Sequence, residues 1–79
     1  MNYYMMDSSV FDHSKLRGRI VEKYGTLNAF YAQLPITSDM AYRKVNGKSG
    51  LSRQDILDWC RLLDIELQDI PIYFFTLKV

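Results

Sequence analysis

The 79-residue sequence predicts an all-α domain of four to five short helices, with a helix-turn-helix unit at its centre and a strand-like tail at its end. Three observations favour this class. Apolar residues recur every three or four positions in several segments, as they do on one face of a helix. Two of these segments, within residues 26–46, are separated only by Leu34–Thr37, and helices joined by so short a turn cross at a steep angle. Finally, Ser52-Arg-Gln-Asp55 has the form of a capping box. We assign residues 10–79 to the domain and residues 1–9 to an N-terminal arm.

The first helix is predicted from about Ser14 to Tyr24. Leu16, Ile20 and Tyr24 are spaced four residues apart and give the helix one apolar face. Gly25 is a natural C-terminal cap. Gly18 costs about 1 kcal/mol of stability relative to alanine inside a helix. The close approach of another backbone would explain why a glycine is present there.

The helix-turn-helix unit follows. Its first helix runs from the cap Thr26 to about Gln33, and Pro35 ends it because a proline disfavours helical geometry in the preceding residue. Its second helix runs from the cap Thr37 to about Val45, with Ala41 and Val45 inward, and stops at the turn signal Asn46-Gly47.

The capping box opens the next helix, whose core stripe is Ile56, Cys60 and Leu63. A short helical turn is expected around Glu66–Ile70, ended by Pro71. The β-branched and aromatic tail Ile72–Val79 predicts a strand, which needs the N-terminal arm or a second protomer as its partner.

Charge is unevenly distributed along the chain. The net charge is only +1, but residues 13–53 hold eight Lys or Arg against two acidic residues. A basic middle between acidic ends can orient toward a polyanion. Ordinary solvated surface charge is the alternative interpretation.

Residue types that serve as nucleophiles, general bases or metal ligands in other proteins are scarce in this sequence, so we expect no enzyme and no cofactor. Cys60 fits a small buried hydrophobe and His13 a solvated residue at the helix start. One cysteine and one histidine give neither a disulfide nor a metal-ligand spacing, and Gly47–Gly50 lacks the spacing of a phosphate-binding loop. The single cysteine favours a reduced, cytoplasmic setting. No apolar run approaches the roughly 20 residues that span a bilayer, so no membrane partner is expected.

The second helix of the unit is equipped for the DNA major groove. Its outward side holds the predicted base contacts Ser38, Asp39, Tyr42 and Arg43. The Arg43 fork suits guanine, and Asp39 can accept from the amino group of cytosine. The predicted phosphate contacts, which position without specifying, are Thr26, Leu27, Thr37, Lys44, Asn46 and Lys48.

The motifs LRGRIVEKYGT, F…L.IT, RKVNGK, LLDI and IYFF, in this order over residues 16–75, resemble the small phage-type Cro/repressor helix-turn-helix family (XRE-like) of Gram-positive phages and prophages. The resemblance implies a five-helix, DNA-binding transcriptional repressor of a lysis–lysogeny switch, acting at the nucleoid in the bacterial cytoplasm. It also implies base contacts from Ser38, Asp39 and Arg43, and backbone contacts near Thr26, Asn46 and Lys48.

Two positions depart from that family pattern. Pro35 stands where the family has a glycine with positive φ, which proline cannot adopt. Tyr31 stands where the family has a small residue; it costs about 1–3 kcal/mol between packed helices or shifts Ala32 into its place. These departures raise an alternative function, a modulator or antirepressor that binds a repressor protein. Tyr31, Met40 and Tyr42 suit a protein interface, in which Tyr and Met are enriched.

The expected partners are therefore double-stranded operator DNA or, in the alternative, a co-encoded repressor protein. A homodimer is expected because one short recognition helix gives little affinity and two copies fit half-sites one helical turn apart. The tail residues Tyr73, Phe74 and Phe75 are the candidate dimer interface, with folding back onto their own core as the alternative.

Overall fold

A computed structural model describes residues 10–79, and this part of the chain is helical, as predicted. In chain order the helices are α1 (Ser14–Tyr24), α2 (Leu27–Tyr31), α3 (Ser38–Val45), α4 (Arg53–Leu63), a 3₁₀ helix (Leu67–Asp69) and α5 (Ile70–Phe74). The predicted arm, residues 1–9, lies outside the described residues.

The helix starts are fixed by the side chains that the sequence indicated. Thr26, Thr37 and Ser52 each accept a hydrogen bond from the backbone N–H three residues further on, at 3.0–3.1 Å. The Asp55 carboxylate accepts the Ser52 N–H at 3.0 Å, which completes the capping box. Gly25 ends α1 with φ of 85°, a conformation that glycine adopts without steric cost. The turns on either side of α2 and α3 are thus set locally.

The hydrophobic core is built from residues of all five α-helices. The Phe30 ring packs edge-on against Trp59 and tilted against Tyr24, each at a centroid distance of 5.4 Å. The two inward residues of α3, Ala41 and Val45, are fully buried. The largest fully buried side chains of the core are Phe30, Phe74, Leu16, Ile20, Leu63 and Val45. Burial of each such side chain stabilises the fold by about 1.5–3 kcal/mol.

The tail corrects one prediction. Ile70–Phe74 is a helix rather than the start of a strand, and Pro71 lies in its first turn, where the missing N–H has no helical partner to lose. Phe74 is 1% exposed and completes the core. Hydrophobic burial therefore overrides the strand propensity of these residues.

A single strand-like contact exists within residues 10–79. Phe11 and Leu77 form one antiparallel bridge, flanked by backbone hydrogen bonds of 2.6 and 3.1 Å. The bridge brings the tail alongside the residues before α1, and His13 is buried there. The expectation that His13 is solvated was wrong: its side chain is 4% exposed, and burial of this kind depends on tertiary packing that the local sequence does not contain.

Tyr31 occupies the inward position of α2. It is 5% exposed and belongs to the core, whereas Ala32 is exposed, so Ala32 does not take its place. The helix ends at Tyr31, two residues before the predicted Gln33. The Tyr31 hydroxyl is buried without a hydrogen-bond partner in the described structure, and burial raises its pKa. The core thus accommodates the large side chain at the cost of one unsatisfied polar atom.

Candidate interaction surface

The helix-turn-helix unit exposes one side of α3. Because Ala41 and Val45 are buried, the opposite side of the helix faces solvent. We call this exposed surface, together with Ile36 in the preceding turn, the α3 ridge; its helical residues are Ser38, Asp39, Met40, Tyr42 and Arg43. The four predicted base contacts all lie on it, so the structure brings them together on one accessible surface.

The α3 ridge combines apolar and charged side chains. Ile36, Met40 and Tyr42 are large apolar residues left exposed, Tyr42 to 47%. Asp39 and Arg43 lie among them on the same helix. Exposed aromatic and Met side chains of this kind are enriched in protein interfaces, whereas DNA-reading surfaces are dominated by polar and basic groups.

Lys44, a predicted phosphate contact, is engaged within the molecule. Its Nζ donates to Asp55 Oδ2 at 2.6 Å and to the Gly50 carbonyl oxygen at 3.4 Å. Burial alone would raise the pKa of Asp55, but the Lys44 ammonium and the bonds from Ser52 outweigh it and hold the pKa below its usual value. Lys44 therefore links the end of α3 to the start of α4.

Asn46, another predicted phosphate contact, caps the end of α3. Its Nδ2 donates to the Tyr42 carbonyl oxygen at 2.9 Å, and its Oδ1 accepts from Arg17 Nη1 at 3.4 Å. Both ends of the amide are thus used within the fold. Through this bond Arg17 joins α1 to the C-terminal end of α3.

The other predicted phosphate contacts have different surroundings. The Thr26 and Thr37 hydroxyls are exposed and already accept their cap hydrogen bonds. Leu27 is half-buried and packs against the core. Lys48 is exposed, and in residues 10–79 its side chain forms no ion pair.

Two cations of α1 cap the end of α4, a role that sequence reasoning missed. Arg19 donates from Nε to the Leu63 carbonyl oxygen at 2.8 Å and from Nη2 to that of Asp64 at 3.3 Å, and it also pairs with Glu22. Lys23 pairs with the Asp64 carboxylate and lowers its pKa. Asp64 ends α4 in the left-handed region, with φ of 52°. Aspartate adopts this conformation more readily than most other residues. No local pattern connects residues more than 40 positions apart.

The three residues of the predicted dimer interface in the tail differ in how deeply they are buried. Phe74 lies in the core and Tyr73 is half-buried against it, which matches the alternative that the tail folds back. Phe75 is exposed and its ring meets that of Phe11 edge-on at 5.4 Å. Phe74 is therefore not accessible to a partner, because its side chain fills the space at the centre of the domain.

Three other features bear on the kinds of site that residues 10–79 can form. Cys60 is buried, and burial raises the pKa of its thiol, which disfavours the reactive thiolate. Within residues 10–79 no three potential metal ligands cluster. No helix of the described chain has the length and apolar character needed to cross a membrane.

The fold and the α3 ridge define a small all-α domain of the helix-turn-helix type. The chain belongs to the family described as "Protein of unknown function (DUF739)", whose model matches residues 9–77. It is similar to the modulator of repression (MOR) of the temperate bacteriophage TP901-1 from Lactococcus lactis, known from a solution structure. The two are 36% identical with a TM-score of 0.75, over 89% of this chain and 95% of that one. No curated protein matches. The similarity thus extends to a small phage regulatory protein.

Proposed function

We propose that this protein is a modulator of repression that acts by binding a repressor protein through its α3 ridge. The observation that carries the proposal is the similarity, along nearly the whole chain, to a phage modulator of repression. The same fold at 36% identity supports a related regulatory role.

The composition of the α3 ridge supports a protein partner. Ile36, Met40 and Tyr42 provide exposed apolar area, and Asp39 and Arg43 provide one charge of each sign. Apolar contacts supply affinity in a protein interface, and mixed charges fix the orientation of the partners.

The intramolecular contacts of the basic residues also support a protein partner. Of the eight cations between residues 13 and 53, at least five interact within the fold; Arg17, Arg19, Lys23 and Lys44 are among them. A nucleic acid would have to compete with these partners for the cations. DNA affinity depends on phosphate neutralisation, so their engagement weakens the electrostatic case for an operator.

Operator binding as a Cro-like, homodimeric repressor is the second candidate function. It is favoured by Arg43, which is exposed on α3 and forms no ion pair in residues 10–79. Ser38 and Asp39 lie near it at the start of the same helix. These residues are where a recognition helix contacts base edges.

A gel-shift experiment separates the two functions. The labelled fragment is the intergenic region next to the gene, tested with this protein alone, with the co-encoded repressor alone and with both. A modulator gives no shift by itself at low salt and changes the shift produced by the repressor. A shift by this protein alone, at a single site and resistant to competitor DNA, would favour the operator-binding function instead.

Two variants locate the surface, measured by calorimetric titration of the purified repressor. Tyr42→Ala and Met40→Ala are expected to weaken repressor binding by about 1–2 kcal/mol each, as for anchor residues of an interface. Leu67→Ala is the matched control, because Leu67 is also an exposed apolar residue but lies outside the helix-turn-helix unit. Equal effects of all three would place the interface elsewhere. For DNA, Arg43→Ala should cost about 1–3 kcal/mol of operator affinity.

The homodimer belongs to the operator-binding candidate and has its own test. Sedimentation equilibrium at tens of micromolar measures the mass directly. A monomer at that concentration contradicts the dimer but leaves the repressor-binding function intact, since that function needs only one ridge.

A further inference from the structure

A second surface lies between α1 and α5, apart from the α3 ridge. It is an open cleft of about 260 Å³, lined by Lys15, Gly18, Arg19, Glu22, Ile72 and Tyr73. We call it the α1–α5 cleft. Ile72 is 46% exposed although it is a large apolar side chain, and Tyr73 beside it is half-buried. The floor of the cleft is thus apolar and accessible to a partner.

Gly18 lines the cleft and has no side chain to fill it. A Cβ at this position would meet no atom within 4 Å, so the fold does not require a glycine here for lack of space. Our expectation that another backbone approaches Gly18 closely was wrong. Its φ is not in the left-handed region either, because Gly18 lies in the middle of α1. Gly18 therefore leaves open space at the cleft that a larger side chain could occupy.

The rim of the α1–α5 cleft carries a net charge of +1. Lys15, Arg19 and Glu22 share one side of α1, since they are three or four positions apart. Glu22 pairs with Arg19, whereas Lys15 is exposed and forms no ion pair in residues 10–79. Ile72 and Tyr73, on the α5 side, add no charge. The net positive rim is complementary to an acidic ligand.

The cleft is separate from the α3 ridge. Arg17, which reaches the end of α3, extends from α1 on the other side of the buried stripe of Leu16 and Ile20. Positions 15, 19 and 22 lie on the opposite side of that stripe by the 100° step of the helix. The two surfaces can therefore be altered independently.

We infer that the α1–α5 cleft binds a short acidic segment of a partner protein, which inserts one apolar side chain over Gly18 onto Ile72. The acidic groups pair with Lys15, the cation of the lining that forms no ion pair in residues 10–79. The apolar side chain covers the exposed part of Ile72 and edges of Tyr73. Charge complementarity sets the approach, and the apolar contact sets the position.

The test is a titration of the full chain by two-dimensional amide NMR. The probe is a capped heptapeptide with one leucine between three glutamates on each side. Saturable shifts are expected, centred on Gly18, Arg19 and Tyr73, with a Kd of about 0.1–1 mM at low salt, a weak affinity suited to so short a ligand. The same peptide with glycine in place of leucine should bind at least about fivefold more weakly, because it lacks the apolar contact.

Two variants with a matched control test the site. Gly18→Leu fills the cleft and Lys15→Glu reverses the rim charge, and each should weaken peptide binding by about tenfold or more. Gly18→Leu replaces glycine by a strong helix former in open space, so its melting temperature should rise and misfolding would not explain a loss of binding. Lys48→Glu is the control, since it makes the same charge change outside the cleft.

Several outcomes would overturn the inference. One is the absence of saturable shifts; another is a set of shifts around Arg43 and Lys48 that Gly18→Leu leaves unchanged. A third is the growth of the same shifts with protein concentration alone. The exposed Leu67 lies next to Glu66 and has the chemistry of the proposed ligand, so that result would assign the cleft to a second copy of this chain.

Discussion

Replacing Lys44 tests whether this residue holds two helices together or serves a ligand. Its ammonium and the Asp55 carboxylate are 2.6 Å apart, with side chains 16% and 27% exposed. At an effective dielectric constant of about 20, the gross attraction at that distance is about 6 kcal/mol. Desolvation of both groups offsets much of it, and a charged hydrogen bond in a folded protein contributes about 1.5–3 kcal/mol net. We expect Lys44→Met to lower the free energy of unfolding by this amount.

The pH dependence gives a second, independent readout of the same pair. The folded pKa of Asp55 is lowered, so its contribution is fully present above the unfolded value of about 3.9 and is lost as the pH falls through the folded pKa. In Lys44→Met the carboxylate keeps only its bonds from Ser52, and its folded pKa rises toward the ordinary value. The stability difference between the two proteins should therefore be largest near pH 7 and shrink steadily below about pH 4.

The assay is urea unfolding followed by circular dichroism, from pH 7 down to pH 3. Lys48→Met is the control, because it removes an exposed lysine that has no ion pair in the described structure and should change stability by less than about 0.5 kcal/mol. The reasoning is refuted if Lys44→Met behaves like the control, or if its deficit stays constant between pH 7 and pH 3.

Three further changes test the core and the caps by thermal unfolding, in which 1 kcal/mol shifts the melting temperature by about 4–8 °C. Tyr31→Phe removes the buried hydroxyl that has no partner in the described residues, so stability should stay equal or rise by up to about 1 kcal/mol; a loss above 1 kcal/mol would reveal a hydrogen bond. Phe74→Ala should cost about 3–5 kcal/mol, and a cost below 1 kcal/mol would contradict its place in the core. Ser52→Ala should cost about 0.5–2 kcal/mol, measured against the exposed, non-capping Ser38→Ala.

Local rules predicted most helix boundaries correctly. The limits Ser14–Tyr24 of α1 follow from its apolar spacing and from Gly25, and the starts of α3 and α4 follow from Thr37 and Ser52. These signals act within four residues, so the sequence contains them in full. The exposed side of α3 was predictable for the same reason, because Ala41 and Val45 identify its buried side.

Long-range packing decided the parts that were predicted wrongly. The segment around Phe74 has strand propensity, but the free energy gained by burying that ring selects a short helix. His13 is buried two residues after Phe11, whose bridge to Leu77 joins residues 66 positions apart in the chain. Tyr31 was recognised as too large for its position, but its accommodation depends on the shape of the core around it.

The ion pairs of the site residues could not be predicted from the sequence for the same reason. The sequence identifies Lys44 as a cation near the end of α3, but its partner Asp55 becomes visible only in the fold. The same holds for Lys23 and Asp64, which are 41 positions apart. A count of charges along the chain therefore overstates the charge that is available to a polyanion.

The smaller number of available cations distinguishes the two candidate functions quantitatively. Each phosphate neutralised on duplex DNA contributes about −0.9 to the slope of log affinity against log salt. With Lys44 held by Asp55, the cations near α3 that form no ion pair in residues 10–79 are Arg43, Lys48 and Arg17, which bonds to the neutral Asn46 amide, so one copy offers a slope of about −3. So few contacts do not hold an operator at physiological salt, and the operator-binding function therefore requires a dimer. Repressor binding requires no second copy, because Ile36, Met40 and Tyr42 are exposed on a single chain.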